Sequence, residues 1–268
     1  MIRLKPHSYL MCSLLVLACR SESNVTAIFD GTAGDWIDLT HTLSEDAVFW
    51  PTAAPFEMEE VAFGMTEGGY FYSAYNLFMA EHGGTHLDAP IHFAQGRQSA
   101  DEIPLDRFLG PAVVIDVTEN VDADYLVTVD DVESWESQFG SIPNGAIVFF
   151  RTGWADHWPD AERYLGTSIR GADAVPLLHF PGIAPTAAQW LIDHRLIDAV
   201  GIDTPSIDFG QSTTFESHRI LYSENVPGFE NVANLGAMPP TGGFVVALPT
   251  KIRGGSGAPL RIVAYVPN

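Results

Sequence analysis

The sequence predicts an α/β fold in a single domain, with a mixed sheet or small barrel and few helices. Short runs rich in apolar and β-branched residues recur along the chain from Trp36 onward. Some of these runs, such as Ala-Val-Val-Ile at 112–115, are apolar throughout, which is typical of strands covered on both faces. The chain has 268 residues, of which 46% are hydrophobic and 18% charged, so it can bury the core of one large domain.

Seven segments have the composition of β-strands, because apolar and aromatic residues dominate them and turn-forming residues border them. These predicted strands are 36–39, 70–80, 112–117, 146–150, 199–202, 244–248 and 261–266. Between them, 18 Pro and 24 Gly require long, shaped loops, and such loops often carry functional residues.

Two segments have a helical pattern. Thr128 is a suitable N-cap for a helix over 129–138, because two Asp residues follow it in the first turn, where the helix dipole favours negative charge. A second helix is predicted over 186–194, since this segment follows Pro185 and its apolar residues recur at helical spacing.

The first 19 residues have the pattern of a secretory signal, in which Arg3 and Lys5 precede an apolar stretch at 10–18. This stretch is too short to span a bilayer, which takes about 20 apolar residues. Val-Leu-Ala-Cys at 16–19 resembles a bacterial lipobox, in which the Cys is lipidated. We therefore expect an exported protein, either a membrane-anchored lipoprotein with a lipid on Cys19 or a soluble periplasmic protein.

Residues 20–34 are polar, small and Gly-containing, so we interpret them as a flexible linker that precedes a folded domain at 35–268. Both cysteines, Cys12 and Cys19, lie before this domain, which excludes disulfides and thiolate metal ligands from it. The formal net charge of -21 disfavours nucleic acid as a partner, because Lys and Arg must neutralise phosphates in such complexes.

The stretch at 81–93, Glu-His-Gly-Gly-Thr-His-Leu-Asp-Ala-Pro-Ile-His-Phe, concentrates groups that bind metals or transfer protons. Two adjacent Gly residues and a Pro disfavour a helix here. Side chains alternate in an extended chain, so His82, His86, Asp88 and His92 are predicted to share one face, on which Gly84 leaves room for an ion. Two imidazoles and one carboxylate suit a divalent metal and leave positions open for water and substrate, which indicates catalysis.

His218 and Glu230 form a second candidate pair, although by itself a pair at this spacing is more typical of structural residues. Asp203 and Asp208 invite comparison with the paired carboxylates of glycosidases. Nothing in the sequence places these two Asp side chains opposite each other, and capping or turn roles are expected for them.

Taken together, the His-rich stretch and the second pair resemble the cyclase family of metal-dependent hydrolases, which includes bacterial kynurenine formamidase and isatin hydrolase. The family motif, His-x-Gly-Thr-His-x-Asp-x-Pro-x-His, is met in full by His82, Gly84, Thr85, His86, Asp88, Pro90 and His92. Further resemblance lies at 38–43, 50–51, 151–154, 201–208 and 218–235. The segment from 203 to 212 is more similar to isatin hydrolase than to the shorter kynurenine formamidases.

The resemblance implies a swivelling β/β/α domain that forms homodimers. It also implies that His82, His86 and Asp88 bind a first metal. His92, His218 and Glu230 then either hold a second metal or transfer protons. The expected metal is Mn(II) or Zn(II), between which His and Asp ligands do not discriminate.

The expected activity is hydrolysis of a cyclic amide, in which an isatin-like lactam is opened to the amino keto acid by metal-activated water. His92 is the catalytic candidate for moving the proton from water to the departing nitrogen, unless it is itself a ligand. A small aromatic substrate needs an apolar wall, for which the neighbouring aromatic residues are Phe49, Trp50, Phe71, Tyr72 and Phe93. Among these, Trp50 is the predicted substrate-binding residue.

Two alternatives remain open at this point. The protein could instead be an arylformamidase that acts on N-formylkynurenine, or an anchored protein that binds a metal or a small molecule without turnover. Turnover separates the last alternative from the enzymes, because a storage site is expected to be coordinatively closed.

Overall fold

A computed structural model describes residues 25–268 of the chain. Within this range the strands are β1 (Gly34–Asp38), β2 (Glu57–Met65), β3 (Phe71–Phe78), β4 (His86–Asp88), β5 (Leu109–Asp116), β6 (Leu126–Val127), β7 (Ala146–Arg151), β8 (Gly182–Ile183), β9 (Ile197–Ile202), β10 (Gly228–Glu230), β11 (Gly243–Pro249) and β12 (Gly257–Pro267). The α-helices are α1 (Val25–Phe29), α2 (Val129–Phe139), α3 (Ala161–Leu165), α4 (Pro185–His194) and α5 (Glu216–Ser223). The predicted α/β class is confirmed.

The main sheet closes into a small barrel. Its strand order is β12-β11-β5-β7-β9-β10-β4, and β4 pairs with β12 again to complete the ring, while β1 extends the sheet on β12. The neighbours β5, β7, β9 and β10 run parallel, whereas the other pairs in the ring are antiparallel. The prediction of a mixed sheet or small barrel with few helices is therefore confirmed.

The strands separate two apolar layers, which explains why their sequences are apolar throughout. In β5 and β7, the side chains of Val113 and Phe150 pack outward with residues of α2, α4 and α5. Val114 and Phe149 alternate with them and face the barrel interior. Each of these four side chains is buried, and the rigid wall that results carries the loops at the barrel ends.

All seven predicted strands and both predicted helices are present, with bounds that shift by a few residues. The Thr128 cap of α2 is confirmed: the Thr128 hydroxyl accepts from the Asp131 amide, and the Asp131 carboxylate accepts from the Thr128 amide at 2.7 Å. Among the elements that the sequence did not predict, β4, β10 and α5 carry residues of the candidate site. These elements are short, and the polar ligand candidates within them interrupt the apolar pattern.

Part of the segment predicted as a linker contacts the domain. The Trp36 ring donates from Nε1 to the Ile28 carbonyl at 2.9 Å, and the Phe29 ring stacks on it. Residues 20–24, together with the predicted signal at 1–19 and its Cys19, lie outside the described residues. Among the described helices, none is long and apolar enough to cross a membrane.

Strands β2 and β3 form a separate hairpin that pairs with no strand of the barrel. We call residues 57–78 the arm. Most of its side chains are exposed on both faces, so the arm projects away from the body of the domain. The predicted strand at 70–80 is thus correct as a strand, but it does not belong to the main sheet.

His41 is expected to make folding sensitive to acid. Its ring stacks on Trp158, and its Nε2 atom is buried without a hydrogen-bond partner among the described residues. Burial lowers the pKa of His41 from 6.5 to about 4. Between pH 6.5 and 4, His41 is therefore protonated in the unfolded chain and neutral in the folded chain. Stability that the neutral ring provides is present above pH 6.5 and is lost as the pH falls toward 4.

The variant His41→Phe keeps the stacked ring and removes this titration. Between pH 6.5 and 4, its free energy of unfolding should fall less steeply than that of the unmodified protein, by up to about 1 kcal/mol per pH unit. Urea unfolding at several pH values measures both slopes. Equal slopes for the two proteins would show that His41 does not contribute.

Candidate metal centre

Backbone pairing brings the ligand candidates together at one end of the barrel. β4 carries His86 and Asp88, and it runs antiparallel to β10 so that His86 is opposite Glu230. His218 lies on α5, whose side chains pack next to β4 and β10, and His82 lies in the turn before β4. These five of the six predicted positions therefore meet, although two of them are at least 130 residues from the others in sequence.

The chain between His82 and His92 is not extended throughout, as the alternation argument assumed. Only His86–Asp88 forms a strand, and Pro90–His92 is a short 3₁₀ helix. Gly84 adopts a left-handed conformation with φ of 61°, which L side chains rarely adopt. Its role is thus to turn the chain, and the shared direction of His82, His86 and Asp88 comes from this turn.

The side chains form two overlapping groups that share Asp88. In the first, Asp88 Oδ1 lies 2.6 Å from His82 Nδ1 and 3.2 Å from His86 Nε2. In the second, His218 Nε2 lies 3.3 Å from Asp88 Oδ2 and 3.2 Å from Glu230 Oε1. Within each group, the candidate ligand atoms are all within 4.8 Å of one another.

Each imidazole is fixed by a partner on its outer side. His86 Nδ1 donates to the Gly84 carbonyl at 2.9 Å, and His218 Nδ1 donates to Asp208 Oδ2 at 2.5 Å. His82 Nε2 lies 3.0 Å from the hydroxyl of Ser256. One nitrogen of each ring is thereby left facing the cluster, which is how metal-binding histidines are held in proteins.

The donor set fits a divalent metal. His86 Nε2 is buried, and its approaches to Asp88 and Glu230 lack hydrogen-bond geometry, so it has no hydrogen-bond partner among the described residues. A buried acceptor nitrogen without a partner is costly, and a metal would satisfy it. Imidazole nitrogens and carboxylate oxygens are ligands that Zn(II) and Mn(II) accept.

Electrostatics at the site favour a cation. Burial raises the pKa of Glu230, and the charge of Asp88 raises it further. Burial opposes ionisation of Asp88 too, but His82 and the other imidazoles hold its pKa well below the usual range. For His218, burial is outweighed by the carboxylates of Asp208, Asp88 and Glu230, which raise its pKa. Two carboxylates that are buried together thus attract positive charge to the cluster.

His92 lies at the edge of the cluster and belongs to neither group. Its ring stacks on His82 with 4.0 Å between centroids, and its Nε2 is 3.9 Å from Asp88 Oδ2. Burial lowers the pKa of His92 to about 4, so the ring is neutral near pH 7. A neutral imidazole at this position is able to accept a proton.

A cavity of about 270 Å³ opens directly onto the cluster. Its polar floor is formed by the ligand candidates, and the opposite side is largely apolar, with Val48, Phe49, Trp50, Ala53, Phe93, Pro205 and Phe215. The structure therefore places Trp50 in the cavity wall. The candidates Phe71 and Tyr72 lie instead on the exposed arm.

Several residues of the site were not predicted from the sequence, because no local pattern connects them with the ligand candidates. Phe215 closes the apolar wall from a left-handed conformation with φ of 49°. Asn231 donates from its amide to the Gly84 carbonyl and accepts from the Tyr164 hydroxyl, so it braces the turn between the two histidines. Asn231 adopts a left-handed conformation with φ of 53°, which Asn tolerates better than most residues. Its residue type was therefore the one local sign of this conformation in the sequence.

The two aspartates considered as a carboxylate pair do not interact. Asp203 accepts from the Thr152 amide and hydroxyl and from the Gly153 amide. Asp208 accepts from the Ser217 and His218 amides, so it caps the start of α5, as expected. In addition it orients the His218 ring, a role that the sequence did not reveal.

Comparison with known proteins places the site in a family. A family model described as a putative cyclase matches residues 37–209. The chain belongs to the cyclase family. Among its relatives, the isatin hydrolase of Roseibium aggregatum is 31% identical over 223 residues, which cover 79% of this chain and 81% of that protein.

Another cyclase-family relative, the kynurenine formamidase of Salinibacter ruber, is 30% identical over 234 residues, covering 85% of this chain and 95% of that protein. Among solved structures, isatin hydrolase A from Ralstonia solanacearum superposes with a TM-score of 0.81 at 35% identity. That superposition covers 90% of this chain and 95% of the other. The fold implied by the resemblance is confirmed.

Asp208→Asn should weaken metal binding without abolishing folding. Removing the carboxylate that orients a ligand histidine typically lowers metal affinity by roughly 10–100-fold. A competition titration against a chromophoric chelator measures this affinity for Mn(II) and Zn(II). Asp124→Asn is the matched control, since Asp124 pairs with His179 Nδ1 at 2.8 Å on the surface. Unchanged affinity in the Asp208 variant would show that the pair with His218 is not needed for binding.

Proposed function

We propose that the protein is a metal-dependent hydrolase that opens a cyclic amide of the isatin type to the amino keto acid. The observation that carries this proposal is the cluster of three imidazoles and two carboxylates that forms the floor of a cavity with an aromatic wall. The two isatin hydrolases and the cyclase-family fold support the same reaction class.

We infer that His82, His86 and Asp88 hold the catalytic metal, as Mn(II) or Zn(II). When bound there, such an ion lowers the pKa of water and polarises the substrate carbonyl. His218 and Glu230 complete the second group around Asp88, so they either hold a further ion or transfer protons. The Ile207 amide donates to Glu230 Oε1 at 2.8 Å and keeps that carboxylate turned toward the cluster.

The apolar wall would bind the planar ring of the substrate. Phe93 and Phe215 lie against each other with 5.0 Å between centroids, and Trp50 lies on the wall of the same cavity. Aromatic rings gain both apolar contact and favourable edge or offset stacking from such neighbours. The wall thus fixes which edge of the substrate faces the polar floor and also excludes water from the ring.

His92 is placed to move the proton. As the water oxygen forms a bond with the carbonyl carbon, the neutral His92 ring accepts a proton from that water. The bond between this carbon and the ring nitrogen then breaks, and the proton is returned to the nitrogen, which leaves as an amine. The acyl product is a carboxylic acid, which releases its remaining proton to solvent and becomes a carboxylate on the same molecule as the amine. One water molecule is thus consumed in each turnover.

One alternative is supported by a specific observation. The kynurenine formamidase relative is 30% identical over most of both chains, and the same floor and wall could accept an N-formyl aniline. A protein that only stores a metal is not favoured, because the cavity gives a substrate access to the cluster. We also infer export, on the pattern of residues 1–19, and a homodimer, as the family resemblance implies.

Parallel assays of isatin and N-formylkynurenine test the substrate. The full chain, loaded separately with Mn(II) and Zn(II), should hydrolyse isatin with the higher kcat/KM, and His86→Ala should reduce that rate by at least about 1000-fold. Absorbance follows both reactions. A preference for N-formylkynurenine would assign the protein to the formamidases, and inactivity on both compounds with metal bound would exclude the proposed substrate.

His92→Ala separates two roles of this residue. If His92 transfers protons, the variant retains its full metal content while kcat falls by roughly 100-fold or more. Elemental analysis of the dialysed protein gives the metal content, and steady-state kinetics gives kcat. Loss of metal in step with activity would instead make His92 a ligand. Ile91→Ala is the control for packing at the neighbouring position, because Ile91 is exposed and does not line the cavity.

A further inference from the structure

Glu81 begins the His-rich stretch, and its carboxylate reaches the metal centre only through another side chain. It belongs to neither group of candidate ligands. Its Oε2 atom accepts hydrogen bonds from the Ser256 amide at 3.0 Å, the Ser256 hydroxyl at 2.8 Å and the Gly257 amide at 3.3 Å. The Ser256 hydroxyl also lies 3.0 Å from His82 Nε2. We call the side chains of Glu81, Ser256 and His82 the relay.

The chemistry of the three groups sets the direction of the hydrogen bonds in the relay. A carboxylate only accepts, so the single hydroxyl proton of Ser256 is donated to Glu81. The Ser256 oxygen is then an acceptor toward His82 Nε2, which must carry a proton to make this bond. With the proton of the neutral ring on Nε2, the lone pair of Nδ1 faces Asp88 Oδ1, which is 2.6 Å away.

Two glycines allow the relay to form. Ser256 lies between Gly255 and Gly257, where β12 begins. A Cβ on Gly255 would lie 3.0 Å from Glu81 Oε1, and a Cβ on Gly257 would lie 2.5 Å from His82 Cε1. A side chain at either position would therefore crowd one member of the relay away from the Ser256 hydroxyl.

His82 differs from the other two histidines of the cluster in how its ring is held. Nδ1 of His86 donates to a backbone carbonyl, and Nδ1 of His218 donates to a carboxylate, and each of these partners can only accept. A hydroxyl can either donate or accept. The His82 side chain is also the most exposed of the three, at 22% against 3% for each of the others. Of the three rings, His82 is thus the one whose tautomer depends on a further residue.

We propose that Glu81 is a positioning residue of the metal centre, which acts through the Ser256 hydroxyl to keep the proton of His82 on Nε2 and to leave Nδ1 free for the metal. This inference rests on the proposed metal-dependent function. Without the Glu81 carboxylate, the Ser256 hydroxyl is free to rotate and donate to Nε2. The proton of the neutral ring then lies on Nδ1, and a metal must displace it, because only an unprotonated nitrogen binds a metal.

A double-mutant cycle on metal affinity tests the relay. Glu81→Ala and Ser256→Ala should each lower the affinity for Zn(II) by roughly 10–100-fold, as is typical when an outer partner of a ligand histidine is removed. Since Glu81 acts through Ser256, the double variant should bind Zn(II) no more weakly than Ser256→Ala alone. Competition with a chromophoric chelator gives the affinities, and circular dichroism confirms that each variant is folded.

Glu102→Ala is the matched control. Glu102 Oε2 accepts from the Ser99 amide and from the Ser99 hydroxyl, both at 3.0 Å, so this pair repeats the geometry of Glu81 and Ser256 away from the cluster. Its loss should leave the affinity for Zn(II) unchanged.

Nuclear magnetic resonance of protein with ¹⁵N-labelled histidine reads the tautomer itself. His82 Nε2 should carry a proton in both the metal-free and the Zn(II)-loaded protein, and in metal-free Glu81→Ala this proton should move to Nδ1. The spectrum of His82→Gln, from which the signals of this ring are missing, assigns them.

Three results would overturn the proposal. One is a His82 Nε2 without a proton in the unmodified protein. Another is a double variant in which the two losses of affinity add. The third is a Glu81→Ala variant that binds Zn(II) as tightly as Glu102→Ala does. If the unmodified protein binds no metal, the proposed function fails, while the tautomer of His82 in the metal-free protein still decides whether the relay acts as proposed.

Discussion

The site depends on one electrostatic constraint: the carboxylates of Asp88 and Glu230 are both buried, beside the imidazoles of three histidines. Carboxylates in such surroundings are unstable unless positive charge or hydrogen bonds compensate them. The Tyr222 hydroxyl and the Ile207 amide supply one hydrogen bond each. The rest of the negative charge of the two carboxylates needs a cation inside the cluster. A divalent metal would supply this charge and bind the ligand atoms that are already in place.

Barrel closure is what brings the cluster together. The long strand β12 pairs with β11 along much of its length and with β4 at its beginning, so β4 is held between β12 and β10. Close approach is required here: a Cβ on Gly257 would lie 2.5 Å from His82 Cε1. The apolar layers on both sides of β5 and β7 make the wall rigid, and α5 adds His218 from outside.

The first metal group was predictable because His82, His86 and Asp88 are close in sequence, and because His and Asp carry recognisable chemistry. Seven of the longer strands were predictable from their apolar runs, whereas β2, with three Glu among its nine residues, was not. In contrast, the turn at Gly84 and the short strands β4 and β10 depend on pairing with distant segments. Asp208, Ser256 and Phe215 reach the site only through tertiary contacts, so no local pattern marks them. Only the second strand of the exposed arm was predicted, and its projection from the domain was not.

Anomalous diffraction from crystals grown with Mn(II) or Zn(II), recorded at the absorption edge of the metal, tests the central claim most directly. We predict an anomalous peak next to His82 Nδ1, His86 Nε2 and an Asp88 oxygen. For Zn(II), the distance from the peak to each of these atoms should be about 2.0–2.2 Å. Such a peak would show that the buried carboxylates and imidazoles are a metal centre. A cluster without a peak, in a protein that binds no metal elsewhere, would contradict the account and leave the carboxylates to be neutralised by protons.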